Sequence, residues 1–243
     1  MQKGNIQRIC LWSGPRNIST ALMYSFAQRS DTKVYDEPLY AHYLKNSNAK
    51  EYHPGAKEII AGMENNGNKV IEMIMDKHEK PIVFFKNMTH HLLDLDCSFM
   101  KDVTNIILTR DPVEMLPSFA KVIKYPTLED VGYKLHIKLV NQLHKMNVTP
   151  IVIDSKKILL NPKKTLNHLC KKLNIPFDGN MLNWKSGARP EDGIWAKYWY
   201  NNIHKSIGFQ KYHTKTEPFP DQLKPLLESC IPYYNQLIKL SLK

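Results

Sequence analysis

Two stretches of this sequence carry residue types in an order that would hold anions. The first, Ser13-Gly14-Pro15-Arg16-Asn17-Ile18-Ser19-Thr20, follows a short apolar run and leads into a helical pattern. A glycine turn entering a helix presents free backbone N–H groups and the positive end of the helix dipole, so a phosphate would be held there. The loop is not a Walker A motif, which needs a second glycine and a lysine before the hydroxyl residue; here Ile18 precedes Ser19, and the nearby cation is Arg16. A tight turn capped by Asn17 or Ser19 is the plainer alternative. The second stretch is Thr109-Arg110-Asp111-Pro112-Val113-Glu114, continuing to Ser118. Asp111 suits a helix N-cap, Pro112 the first helical position and Glu114 a capping box, which leaves Arg110 over. It stands at the carboxyl end of an apolar strand, the edge where open α/β sheets bind ligands, and its planar fork suits a bidentate phosphate contact. Ser118, about two turns onward, adds a hydroxyl; a salt bridge to a neighbour is the alternative role for Arg110.

The elements that must position these residues are legible as short apolar runs at 9–12, 33–35, 82–85, 105–109 and 150–153, separated by longer helical patterns. Such alternation predicts βα units and a mostly parallel sheet flanked by helices. Leu22, Met23 and Phe26 share one helical face, and Val131, Leu135, Leu139, Val140, Leu143 and Met146 keep a spacing near 3.6 residues. Asn161-Pro162 opens another helix with Leu166, Leu169 and Leu173 inward. A C-terminal helix within 219–240 carries an apolar stripe from Leu223, with Pro232 placed to kink it. Residues 184–212 hold Trp184, Trp195, Tyr198, Trp199 and Tyr200 without a period, which predicts an ordered aromatic loop region rather than a linker. No repeat or boundary divides the chain, so one domain over 1–243 is expected.

Composition narrows the class. With 42% apolar and 23% charged residues and no biased tract, the chain is neither disordered, collagen-like nor a coiled coil. Its net charge of +11 favours anionic ligands. Lysine supplies nearly all of that excess, since the arginines are only Arg8, Arg16, Arg29, Arg110 and Arg189. Cys10, Cys97, Cys170 and Cys230 are scattered without a C-x-x-C, consistent with free thiols in a reducing compartment. The polar start and the brevity of the run at 9–12 argue against a signal peptide or membrane span, so a cytoplasmic protein is expected. No zinc, calcium or nucleophile-elbow motif appears, and no nucleic-acid motif accompanies the charge. His136 and His144 fall on or beside the helix near 131–146, where a surface or boundary place is expected.

The loop of residues 13–20 after the first strand, taken with Arg110 and Ser118 after a later one, resembles the sulfotransferases that use 3′-phosphoadenosine 5′-phosphosulfate (PAPS). The likeness extends to Ile151-Val152-Ile153-Asp154 and Asn161-Pro162. It implies a P-loop-type three-layer α/β fold, a 5′-phosphosulfate held by Ser13, Gly14, Pro15, Arg16, Asn17, Ser19 and Thr20, and a 3′-phosphate held by Arg110 and Ser118. Many relatives carry a lysine where Pro15-Arg16 stands and a K-x-H where this chain has Lys86-Asn87-Met88-Thr89-His90-His91. For the late donor-binding loop, Lys185, Gly187 and Arg189 are the candidates. Sulfuryl transfer, by analogy with phosphoryl transfer, needs positioning, a cation at the leaving oxygen and a base near the acceptor proton, but no metal. Arg16 and Lys86 are the cations expected near the strand ends. Glu37, in Tyr35-Asp36-Glu37-Pro38, is the favoured base, with His90 the alternative; a mere turn at Asp36-Glu37-Pro38 is the structural option. The implied acceptor is a small molecule with a hydroxyl or amine, and Trp195, Trp199 and Tyr200 belong either to the core or to its pocket wall. A P-loop kinase or nucleotidase using Asp111 to help hold Mg²⁺, or a non-catalytic anion-binding module, are the competing classes. The sequence sets neither the acceptor nor the oligomeric state.

Overall fold

The computed structural model describes residues 6–214 and 217–242. Five strands, β1 (Gln7–Ser13), β2 (Thr32–Asp36), β3 (Ile82–Met88), β4 (Thr104–Thr109) and β5 (Ile151–Asp154), form one sheet in the order β2-β3-β1-β4-β5. Every pairing is parallel. All five fall on the runs expected from sequence. Strands covered on both faces need apolar residues at every position, which is why they stand out as unbroken runs rather than alternations.

Side chains alternate across the sheet. Cys10, Trp12, Phe85 and Ile107 face one core, shared with the helices Tyr133–Lys145 and Lys224–Leu240. Ile9, Leu11, Phe84, Ile106 and Leu108 face the other, shared with α1 (Ser19–Ala27) and the helix Pro162–Lys172. The four cysteines are free and buried. Pro232 lies within a helix assigned without interruption across it, Lys224–Leu240. Among the described residues no helix is long and apolar enough to cross a membrane.

Two readings of the helix after β4 need correcting. Val131 does not belong to it: Val131 ends a separate turn, Leu128–Val131, whose Thr127–Asp130 capping box starts it and whose Gly132, at φ 79°, stops it. The long helix then begins at Tyr133 and turns Tyr133, His136, Leu139, Val140 and Leu143 inward. His136 is therefore buried, not a surface or boundary residue, whereas His144 is exposed. Periodicity alone joined the two segments because the glycine break falls in phase with the apolar stripe.

β1 lies in the middle of the sheet, and the chain leaves it first toward β2 and β3 and later toward β4 and β5. The order reverses at β1, and such a switch point leaves a crevice at the strand carboxyl ends. Into that crevice run the segments following β1, β2, β3 and β4, which carry the residues singled out above.

Candidate functional site

A cavity of about 450 Å³ occupies this crevice. Its wall includes Pro15, Arg16, Asn17, Ser19 and Thr20 after β1, Glu37 after β2, Lys86 and His90 on and after β3, and Arg110 and Ser118 after β4. Ser13 and Gly14 lie just beneath, Ser13 being fully buried at the end of β1. Residues up to 105 positions apart in sequence are thereby gathered because parallel strands all deliver their carboxyl ends to one edge.

The turn between β1 and α1 is built around Gly14 and Arg16. A Cβ on Gly14 would stand 2.8 Å from the Val131 carbonyl oxygen, so only glycine lets the loop pass this close to the 131–132 corner. Arg16 adopts φ 50°, a left-handed conformation unusual for a side-chain-bearing residue. No side chain caps α1. Asn17 instead accepts from the Ile18 N–H through Oδ1 and donates through Nδ2 to the Leu108 carbonyl, tying the loop to β4. The capping role considered for Asn17 or Ser19 is thus not taken, and the first N–H groups of α1 remain available to an anion.

The two motifs meet directly. Arg110 donates from Nη1 to the Arg16 carbonyl at 2.9 Å, and Arg16 donates from Nε to Ser118 Oγ at 3.2 Å and from Nη1 to the Trp199 carbonyl at 3.3 Å. Arg110 also pairs with Glu114 at 3.4 Å. Burial, and then the like charge of Arg110, lower the Arg16 pKa. The like charge of Arg110 acting on the half-buried Arg16 guanidinium favours an anion in this part of the crevice. Asp111 caps the helix Pro112–Phe119 by accepting from the Val113 N–H.

On β2 and β3 lies a buried ionic cluster. Lys86, fully buried, donates to Asp36 Oδ1 at 2.8 Å, Glu37 Oε1 at 2.5 Å and the Tyr200 hydroxyl at 2.6 Å, which uses all three of its N–H bonds. Tyr200 in turn donates to Asp36 Oδ2, which also accepts from the Gly193 N–H. Burial by itself would lower the Lys86 pKa, yet Asp36 and Glu37 hold it well above its usual range. Burial pushes the Glu37 carboxyl up to about 7 against the pull of Lys86. Glu37 sits at φ 41°, its N–H bonded to the Lys86 carbonyl, so a strained backbone turns its carboxyl back over the strand ends. Its second oxygen, Oε2, has no donor within hydrogen-bond distance among the described residues; His91 Nε2 stands 3.9 Å from it. Burial drives His90 down to about 3.

The aromatic region closes the cavity with Trp195, Trp199 and Tyr200. Trp195 and Tyr200 are buried and also pack with Tyr40 and Ala41, so core and pocket wall are one and the same surface there. Lys185, Gly187 and Arg189 do not reach the cavity wall. Residues 208–213, including Phe209, Lys211 and Tyr212, line it instead. Nothing periodic marks that segment in the sequence; its polar-aromatic mixture ahead of the last helix is the one available signal. Among the described residues no three His, Cys, Asp or Glu side chains come together as metal ligands would.

Comparison with known proteins bears on this geometry. Two curated Arabidopsis thaliana proteins, "Branched-chain-amino-acid aminotransferase-like protein 2" and "protein 1", are each 40% identical to this chain over 229 and 228 residues. The matches cover 93% of this chain but 40% of each relative, so the chain spans about two fifths of their length. Solved structures share the fold: a sulfotransferase domain from the Synechococcus PCC 7002 olefin synthase has a TM-score of 0.55 at 17% identity, covering 94% of this chain and 96% of that one. A sulfotransferase from Alicyclobacillus acidocaldarius has a TM-score of 0.54 at 11% identity, covering 96% and 95%. A family model described as "Sulfotransferase domain" matches residues 7–240, from the first strand to the end of the last helix, and the chain belongs to that family.

Proposed function

We propose that this sulfotransferase uses PAPS as donor and a hydroxyl or amine of a small molecule as acceptor. The observation that supports this most is that an uncapped helix N-terminus, two adjacent guanidinium groups and a buried carboxyl open into one cavity of about 450 Å³. This donor set fits a nucleotide with phosphates at two ends. The loop of Ser13, Gly14, Pro15, Arg16, Asn17, Ser19 and Thr20 would hold the 5′-phosphosulfate, and Arg110 with Ser118 the 3′-phosphate. When bound, PAPS supplies a sulfuryl group on a leaving group that is already anionic.

The chain's own residues do the rest. Arg16 and the α1 N–H groups stabilise negative charge at the leaving oxygen, where a buried cation acts in low dielectric and needs no reorganisation. Glu37 Oε2 takes the acceptor proton. Lys86, bonded to Glu37 Oε1, orients that carboxyl and fixes which oxygen is presented; His90 lies in the same cavity as the alternative proton acceptor. Lys211 brings a further cation to the wall.

Calorimetric titration with 3′,5′-adenosine bisphosphate tests the reading. Binding without Mg²⁺ is expected, and Arg110→Ala should weaken it by about two orders of magnitude, the worth of a charge-assisted bidentate contact. Unchanged affinity in Arg110→Ala, or tight binding of ATP only with Mg²⁺, would contradict it.

A further inference from the structure

The three N–H bonds of the Lys86 ammonium end on three different residues, and only two of the acceptors, on Asp36 and Glu37, are carboxylates. The third is the Tyr200 hydroxyl, which also accepts from Trp195 Nε1 at 3.2 Å and donates to Asp36 Oδ2 at 2.7 Å. One donor and two acceptor positions are all that a hydroxyl has, so this one is fully used. Burial, and then the charge of Asp36, raise the Tyr200 pKa well above its usual range, so the hydroxyl keeps the proton it gives to Asp36. The place of Tyr200 is set from outside the cluster as well. Its N–H is bonded to the Ala196 carbonyl, the Trp199 carbonyl before it accepts from Arg16 Nη1, and the Gly193 N–H anchors the same segment on Asp36 Oδ2.

Packing asks only for the ring. A phenylalanine here would keep the Lys86 ammonium over an aromatic face, now 5.1 Å from Nζ to the centroid, but would leave a Lys86 N–H and Asp36 Oδ2 facing one vacated position. A charged donor and a charged acceptor that share a gap close on each other. The ammonium would then give more of itself to Asp36 and less to Glu37. The groups that face Glu37 are Lys86 on β3, Asp36 on β2, Tyr200 of the aromatic segment, His91 after β3 and Tyr40 after β2. Of these, Lys86 draws the Glu37 pKa down and Asp36 pushes it up, so how the ammonium is divided between the two carboxylates sets the proton affinity of Glu37.

We propose that Tyr200 is a positioning residue for proton transfer: its hydroxyl stands between Lys86 and Asp36, holds the ammonium off a closed pair with Asp36, and thereby keeps one Lys86 N–H on Glu37 Oε1 with Oε2 left to the acceptor. This inference rests on the reading of Glu37 as the base. The test follows the Glu37 carboxyl itself, by ¹³C NMR of enzyme labelled at the glutamate side-chain carboxyls, the Glu37 resonance being the one missing from Glu37→Gln; neither donor nor acceptor is needed. In the wild type a midpoint near pH 7 is expected. Tyr200→Phe is expected to raise it by about one pH unit, a tenfold gain in proton affinity, because Glu37 loses part of its cation. A side chain that only filled space would leave the midpoint in place. An unmoved or lowered midpoint in folded Tyr200→Phe overturns the role of Tyr200 and leaves Glu37 as the base. Should Tyr200→Phe not fold, the wild type decides. As Glu37 takes up its proton, Lys86 leans toward Asp36 and Tyr200, and the ¹⁵N resonance of the Trp195 indole N–H, bonded to the same hydroxyl, is expected to move with the Glu37 midpoint. A Trp195 resonance that stays flat through that range overturns the proposal. A wild-type Glu37 midpoint near 4, the ordinary carboxyl range, overturns the reading of Glu37 as base and this inference with it.

Discussion

Glu37 and His90 share a cavity but would carry a proton over different pH ranges, which makes the base identifiable. Glu37 faces Lys86, Asp36, Tyr200 and His91, and burial raises it to about 7; a carboxylate base is present above that pH and lost as pH falls through it. The acid limb of kcat/KM is therefore expected near pH 7. A limb near 3, where burial puts His90, would assign the base to that histidine. Glu37→Gln should lower kcat by about 10²–10⁴-fold while adenosine bisphosphate affinity stays within a few-fold, and calorimetry alongside turnover checks both. At this scale the sequence was informative where chemistry is local: Arg16, Arg110 and Glu37 each stand just past a strand end that an apolar run announces, and Ser118 follows on the helix that Arg110 precedes. It placed Tyr200 only in the core or the pocket wall and gave no sign of its bond to Lys86, which spans 114 positions and follows no period.

Elements turn those residues into a site by close approach. Gly14 passes under the Val131 carbonyl, and Gly132 makes the opposing corner with a left-handed backbone. Gly14→Ala would push a methyl carbon to 2.8 Å from a backbone oxygen that cannot swing aside. A loss of about 1–3 kcal/mol is expected in urea unfolding, together with weaker adenosine bisphosphate binding as the loop moves off its α1 register. All five strands could be read because burial on both faces leaves an apolar signature. The uncapped start of α1 and the lining by residues 208–213 could not, since each depends on a contact made between distant elements, and the break at Gly132 was hidden because the apolar stripe runs through it in phase. Hydrophobic period reports which face is buried, not what it is buried against.

At the scale of the whole molecule, the Asp36–Glu37–Lys86–Tyr200 cluster joins β2, β3 and the aromatic segment over the cavity. Lys86→Met would leave two neighbouring carboxyls buried without their cation, a change worth about 3–5 kcal/mol, read as a large fall in melting temperature. The net charge of +11 acts over longer range. Raising ionic strength from about 0.01 M to 0.15 M shortens the screening length from roughly 30 to 8 Å, so kcat/KM for the anionic donor should fall while that for an uncharged acceptor at saturating donor holds nearly constant. The central claim is that two neighbouring grips, at the carboxyl ends of β1 and β4, hold the two phosphate-bearing ends of one nucleotide. A crystal structure with 3′,5′-adenosine bisphosphate tests it most directly: the expected result is the 5′-phosphate against the α1 N–H groups and Arg16, and the 3′-phosphate on Arg110 and Ser118. The nucleotide bound at another edge of the sheet, or with Arg110 and Ser118 untouched, would contradict it.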